Sequence, residues 1–492
     1  MIRFGLALKA THPGHGDYAF YYTLAQNIVS GRGFVIDYIW QYLTIPATIT
    51  HNAVEFWMPL SSVIMAGAMA IAGKSLFVAL LPGIICGLSI PILIFFWSRR
   101  FSESRFVQYG SAGLALFLPT MVAFSLLTDS TIYYVLFITA AFLAISKAQQ
   151  KPGYFLASAA CIGLAHLTRQ DSILLLPVLI IMIFISSVRF SRKLRLLILS
   201  LIVYAAIFSP VWISNLRHYG VPLSPGPSKA MYITSHEDLY SYGKDLTWRS
   251  YSAWGIKNIL SSKAKATIDN FKTLYDSAGG PILILALAGL FGLFYDGLWR
   301  NRWRLYLPPF LYSVIILLFY SIVVPFNAEG GAFSRSVLSI CPFLVIIAVD
   351  LIDRQFSSRK LATTVVMLIG FYSFGYSTFL SSKMVNSNNQ LGLQLSELKV
   401  ILGRQAPHDK EIIVMTRNPW ELYYSTGYRA IQIPNNDIDT ICLVAQRYQA
   451  NYLILPAPRP ALDNIFSGDI PDPRFEKIDD IPKSEMKLFR IK

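Results

Sequence analysis

The sequence predicts a mainly α, polytopic membrane protein that ends in a small α/β domain on the outer face of the membrane. Three observations carry that expectation. The 492 residues are 54% hydrophobic and the mean hydropathy is +0.47, a composition of multi-span chains rather than soluble domains. Apolar stretches recur from Trp57 to Leu380, and the loops between them alternate between basic and nearly free of Lys and Arg. Beyond Lys383 the pattern changes to short β-type runs interleaved with helical ones. Three units are expected: 1–56, the chain's start with the first outer loop; 57–380, the spanning region; and 381–492, the outer α/β domain.

The formal net charge of +15 is then read as Lys and Arg held in cytoplasmic loops, and a nucleic-acid surface is excluded. Cys86, Cys161 and Cys341 lie in apolar runs and Cys442 in the tail, with no CxxC pair and no disulfide framework.

Residues Met1 to Ala10 are too few to cross a hydrocarbon core of roughly 30 Å, which takes about 20 residues. They also lack the apolar core and cleavage site of a signal peptide. Either the chain enters without an N-terminal span, or FGLALKA is the remnant of a longer first helix; the second is expected. HGDYAFYYTLAQNIVSGRGF (15–34) follows as an amphipathic helix, with Tyr18, Tyr21, Leu24, Ala25 and Ile28 on one face. Asp17 is expected at its N-cap, and Gly31 and Gly33 at its far end. VIDYIWQYLTIPATITHNAVEF, broken by Pro46, is too polar to cross lipid and forms a loop.

Trp57–Gly73 is weakly apolar and is expected to rest in the interface or to dip in and return. Trp57 and Pro59 fix the turn into it. Leu76–Trp97 is a clear span. Val107–Phe124, Ile132–Ile145, Tyr154–Leu167, Ser172–Val188, Leu196–Ile213, Pro281–Phe294, Leu305–Val324, Ser336–Ile352 and Leu361–Leu380 follow, about ten spans in all. A long outer loop, 214–280, interrupts them and contains an amphipathic helix around SSKAKATIDNFKTLY. In the tail, EIIVMT (411–416), RAIQIP (429–434) and NYLILP (451–456) read as buried strands. Helices are expected at 391–403, 418–425 and 437–449, which gives a partly parallel sheet.

Loops 98–105, 147–151, 189–195, 300–304 and 353–360 are basic, whereas 125–131, 168–171 and 327–335 are almost free of Lys and Arg. The positive-inside rule puts the basic set in the cytoplasm. Asp17, Asp129, Arg169, Arg335 and the C-terminal tail then share the outer face. Charges placed at a membrane are costly, and their convergence favours a functional reading.

Each candidate has a structural alternative. Asp17 is a helix cap or a catalytic base or metal ligand; His12, His15 and His51 share its side of the membrane, but no HExxH-type spacing supports a His site. Asp129, in LLTDST, caps the next span or faces Asp17. Arg169 has Asp171 nearby. Arg335 has Glu329 nearby, with Gly330 and Gly331 offering backbone amides. Arginines with free N–H groups at a membrane surface suit a phosphate headgroup. His166 is read as packing.

The succession of HGDYAFYYTLAQNIVSGRGF, HNAVEFWMPL, LLTDS, GLAHLTRQDSILLLP and FSRSVLSICPF resembles the polytopic GT-C glycosyltransferases over roughly residues 12–380. The resemblance is nearest to the protein O-mannosyltransferase, lipid A aminoarabinose transferase and rhizobial core-modifying branches. It implies that Asp17 is the catalytic acid of the first outer loop and Asp129 the second acid. Arg335, with Arg169, would bind the donor phosphate, and Tyr21 and His51 would line the substrate pocket. Tyr18 stands where the family usually has a second acid. The implied donor is a polyprenyl-phosphate-linked sugar, the acceptor a lipid, glycan or protein hydroxyl, and the mechanism inverting, in a bacterial plasma membrane with the active site outside. No cofactor is required by the sequence, and Mg or Mn dependence is left open. The competing readings are a catalytically inactive or accessory relative and a transporter. A transporter would be expected to show internal repeats or broken helices with charges at mid-membrane.

Overall fold

The computed structural model describes residues 2–324, 331–405, 411–456, 459–469, 472–481 and 485–492. The chain opens with helix α1 (Ile2–Lys9) and α2 (Asp17–Val29), then short strands β1 (Val35–Ile36), β2 (Tyr38–Ile39) and β3 (His51–Asn52). The helical body follows as α3 (Leu60–Ala72), α4 (Leu76–Phe101), α5 (Arg105–Leu116), α6 (Pro119–Phe124), α7 (Thr131–Ala148), α8 (Tyr154–His166), α9 (Leu175–Ile185) and α10 (Phe190–Tyr219). Two short helices, α11 (Pro225–Ala230) and α12 (Trp248–Ala253), lead to α13 (Ile256–Ala278), α14 (Pro281–Tyr295), α15 (Leu298–Leu318), α16 (Ala332–Ser336), α17 (Cys341–Gln355) and α18 (Arg359–Gln405). The last unit is β4 (Ile413–Thr416), α19 (Pro419–Thr426), β5 (Arg429–Gln432), α20 (Ile438–Tyr448), β6 (Tyr452–Leu455), α21 (Asp463–Ser467), β7 (Phe475–Asp480) and β8 (Lys487–Ile491).

Five of the described helices are long and apolar enough to cross a membrane. The number is seven if the bent pairs α13–α14 (104°) and α16–α17 (49°) each form one span, and three further apolar helices are shorter. The chain is an integral membrane protein. Helix α17 runs through its centre, buried from Cys341 to Ile352 and packed on α5 and α14.

Several expected boundaries move for identifiable reasons. The span expected over Val107–Phe124 is two helices, because Pro119 opens α6 and holds Leu118 extended at ψ 120°. The break frees the Leu116 carbonyl, which accepts from Arg3 Nη2 at 3.0 Å, while Arg3 Nε donates to Ser125 Oγ at 3.0 Å. Helix α2 is not one-faced: residues Ala19 to Ala25 are all buried, since α3 and α19 cover it from two directions. The helix expected at 391–403 is the end of α18, which has no Gly–Pro breaker to stop it. At 1.5 Å per residue α18 is about 70 Å long, far more than a bilayer core needs, so its second half rises out of the bundle. It meets α19 there.

The unit boundaries at 56/57 and 380/381 are therefore not structural seams. Helix α18 passes through the second, and the first loop feeds the C-terminal sheet, whose order is β2-β5-β4-β6-β8-β7. Strands β2, β5, β4 and β6 are parallel, with Tyr38 opposite Ala430 and Ile39 opposite Ile431, and β8 and β7 close the other edge antiparallel. Strands β4 and β6 are buried at every residue, as parallel strands covered on both faces must be. A two-residue strand leaves no periodic signal, so its pairing across some 390 positions was not legible in sequence.

The basic loops gather at one end. Arg100 reaches the Ser146 carbonyl at 3.4 Å, Arg302 the Phe101 carbonyl at 2.6 Å and Arg304 the Ser187 hydroxyl at 2.8 Å. Arg359 lies 4.7 Å over the Phe106 ring. The acids and arginines singled out above lie at the other end.

Arg3→Met should leave the Leu116 carbonyl and the Ser125 hydroxyl buried without their donor and cost about 1–3 kcal/mol. Thermal unfolding of the detergent-solubilised protein tests this; an unchanged midpoint would show that the helix break does not depend on Arg3.

Candidate active site

Asp17 is the first residue of α2, not its cap. Gly16 holds the N-cap position at φ 53°, ψ −116°, a conformation that glycine adopts at least cost. The Asp17 carboxylate is therefore free of capping and still gains from the positive end of the helix. Two bonds fix α2: the Ser62 hydroxyl donates to the Tyr21 carbonyl at 2.9 Å, and the Thr128 hydroxyl to the Tyr18 carbonyl at 2.8 Å. The second ties the Asp17 helix to the Asp129 loop.

Asp129 divides its two oxygens between the roles the sequence left open. Oδ1 accepts from the Thr131 amide at 2.6 Å and from the Thr131 hydroxyl, fastening the start of α7. Oδ2 accepts from Arg335 Nε at 3.1 Å, and Arg335 Nη2 lies 3.1 Å from Asp17 Oδ2. One guanidinium thus bridges two carboxylates from separate segments, and it sits 5.8 Å over the Tyr18 ring.

The acids differ in access. The Asp129 side chain is wholly buried, whereas Asp17 keeps 22% of its surface. Burial raises the Asp17 pKa from its ordinary 3.8, with Arg335 opposing and Asp129 reinforcing the shift. Glu329 and Gly330, weighed above beside Arg335, lie outside the described residues.

Arg169 forms an adjoining cluster. Its Nε is 3.3 Å from Asp171, and its Nη2 donates to Ser336 Oγ at 3.0 Å and the Ala332 carbonyl at 3.2 Å. The Ser336 hydroxyl donates to Asp171, which also accepts from Tyr320 at 3.0 Å. Arg169 and Arg335 therefore attach to the same short helix, α16. Asp171 is a real partner of Arg169, while the parts played by Tyr320 and Ser336 had no signal in sequence.

Tyr21 is buried beside these groups. His51 belongs elsewhere: its Nδ1 donates to the Ile49 carbonyl at 2.8 Å and its Nε2 is 3.2 Å from Glu55, which also accepts from Gln41 at 2.9 Å. Burial favours the neutral ring, but the charge and hydrogen bond of Glu55 outweigh it and raise the His51 pKa. His51 is thus committed to Glu55, because the β1–β3 turn points it into its own loop. His12 and His15 pair with Ser425 and Glu421. Among the described residues no group of three or more His, Cys, Asp or Glu side chains could hold a metal ion. The cation between Asp17 and Asp129 is Arg335.

Residues 58–213 match the family described as Dolichyl-phosphate-mannose-protein mannosyltransferase. The structure is similar to that of ArnT from Cupriavidus metallidurans in the apo state, with a TM-score of 0.64 at 12% identity over 99% of this chain and 96% of that one. ArnT bound to undecaprenyl phosphate gives 0.63 at 13% over the same shares. The Archaeoglobus fulgidus oligosaccharyltransferase in the apo form gives 0.55 at 12%, over 92% of this chain and 69% of that one. Comparison with curated proteins gives no match. The fold is thus shared with ArnT and with the archaeal oligosaccharyltransferase, and the segment 58–213 is similar to the mannosyltransferase family.

Arg335→Met should strand two carboxylates and cost about 3–5 kcal/mol, part of which a second change, Asp129→Asn, recovers. A double-mutant cycle on unfolding in detergent reads the coupling; strictly additive losses would mean that the bridge is energetically idle.

Proposed function

We propose that this protein is a glycosyltransferase that moves a sugar from a polyprenyl-phosphate-linked donor to a hydroxyl of a lipid, glycan or protein at the outer face of the bacterial plasma membrane. The observation that carries the reading is the bridge: one arginine joins a partly exposed acid and a buried acid, at the end of the bundle opposite the basic loops. The positive-inside rule then puts this site outside. The relatives support the donor class, since ArnT has been captured with undecaprenyl phosphate and the matched family is described by its dolichyl-phosphate-mannose donor.

In the proposed reaction the acceptor oxygen attacks the anomeric carbon and its proton passes to Asp17. The bond from that carbon to the phosphate oxygen breaks, and polyprenyl phosphate leaves against Arg335, with Arg169 on the adjoining face of α16. A single displacement inverts the anomeric centre. Asp17 is the base because it alone of the pair is exposed; Asp129 holds Arg335 in place. The guanidinium offers several N–H donors to the phosphate as its charge develops, and a base placed beside the acceptor contributes on the order of 10²–10⁴-fold.

Transport is disfavoured because the paired charges stand at one end of the bundle instead of at mid-membrane. The rival reading, an inactive relative, rests on Tyr18 standing where a second acid is usual, and the transfer assay that follows separates the two.

Asp17→Asn should reduce transfer of labelled sugar in membranes by at least about 10²-fold with protein level unchanged. A deprotonated base is lost as pH falls through its pKa. Since the Asp17 pKa is raised above 3.8, the acid limb of kcat should lie above that of an ordinary carboxylate. Full activity in Asp17→Asn, or an acid limb at or below pH 4, would remove Asp17 from the mechanism.

A further inference from the structure

The segment that delivers Asp17 is held by residues from the far end of the chain. Asn389 on α18 accepts from the Thr11 amide at 2.8 Å and donates to the Lys9 carbonyl at 2.7 Å. His12 Nδ1 accepts from the Gly14 amide at 3.1 Å, which leaves Nε2 to donate to the Ser425 hydroxyl at 3.2 Å. At Gly14, with φ +110°, a Cβ would lie 2.7 Å from Asn388, and at Gly16 one would lie 3.3 Å from Trp420. The loop is therefore shaped to fit against α18 and α19.

Glu421 on α19 makes the contact nearest the acid. Its side chain is almost wholly buried, and Oε1 accepts from the Gly16 amide at 3.0 Å and lies 3.1 Å from His15 Nδ1. The Gly16 amide immediately precedes Asp17, and the backbone there takes a conformation that other residues adopt only with strain. A carboxylate anchored in one folded unit thus fixes the peptide that begins α2 in another. Strands β4 and β5 flank α19, and β5 pairs with β2 from the first loop, so the C-terminal sheet is built around the segment it holds.

We propose that Glu421 is a positioning residue for Asp17, and that the C-terminal α/β unit serves as a template that sets the geometry of the catalytic loop. The proposal rests on the transferase reading for its kinetic consequence only. Misplacing a reacting group by about 1 Å can cost on the order of 10²-fold in rate, and loss of one hydrogen-bond anchor should cost less.

The test compares full-length wild type with Glu421→Ala and Glu421→Gln. Glu421→Ala should lower kcat about ten-fold with donor KM within about two-fold, and Glu421→Gln, which keeps an acceptor for the Gly16 amide, should recover most of the loss. Hydrogen exchange in detergent should show faster exchange of peptides covering 14–22 in Glu421→Ala, with β4, β5 and β6 protected as in wild type. Wild-type kcat and exchange in Glu421→Ala would overturn the proposal. So would a rate loss that Glu421→Gln leaves unrepaired, or one accompanied by equal loss of protection in β4–β6, which would mark Glu421 as a folding residue. If wild type itself transfers nothing from a polyprenyl-phosphate sugar, the transferase reading fails, while the exchange comparison still decides whether Glu421 holds the loop.

Discussion

The guanidinium of Arg335 is the constraint on which the rest of the site depends. Two carboxylates placed in one largely buried space repel each other. A single arginine lying 3.1 Å from each removes that conflict and fixes the distance between two segments more than a hundred residues apart. A flexible ammonium would meet the charge requirement but would not impose the same geometry, because the planar guanidinium directs Nε to one acid and Nη2 to the other. The position of α16 follows from this. That helix also receives Arg169 through Ser336 and the Ala332 carbonyl, so both cations of the site move with one short element.

Long-range closure explains why the C-terminal unit is fused to the spanning body instead of hanging from it. Helix α18 is too long for the bilayer and spends its excess on the opening segment, through Asn388 and Asn389. Helix α19 covers the face of α2 that α3 leaves open. Strand β2 completes the sheet's edge, and Arg32 and Tyr423 both bind Asp37 beside it, at 2.7 and 2.8 Å. Removing either half would expose edge backbone and apolar surface on the other, since β2, α2 and α19 share one core.

What the sequence made legible were features with a period or a charge bias. Leu76–Trp97, the amphipathic helix within 214–280 and the strands at 411–416, 429–434 and 451–456 all announce themselves by spacing. The alternation of basic loops likewise located Asp17, Asp129, Arg169 and Arg335 at one end, where the structure brings them together in two touching clusters. What stayed hidden were pairings with no local signature. Glu421 lies more than 400 residues from Gly16, β2 is two residues long, and Arg3 bonds Leu116 and Ser125, more than a hundred residues away. The pairing of His51 with Glu55, four residues on, likewise had no signature in the sequence reading.

The unequal exposure of the two acids completes the argument. A base must meet the acceptor, and an anchor for a cation must not lose its partner to solvent. Under the proposed mechanism, the complete burial of Asp129 and the bond of its other oxygen to Thr131 suit it to the second task. Asp17 is the reverse: it contributes no cap, its helix start is held by Glu421 through the neighbouring peptide, and its burial destabilises the charged form that Arg335 stabilises. Under the proposed mechanism one side chain, Arg335, would serve both the leaving phosphate and the base, and Asp129 would keep it in reach of both.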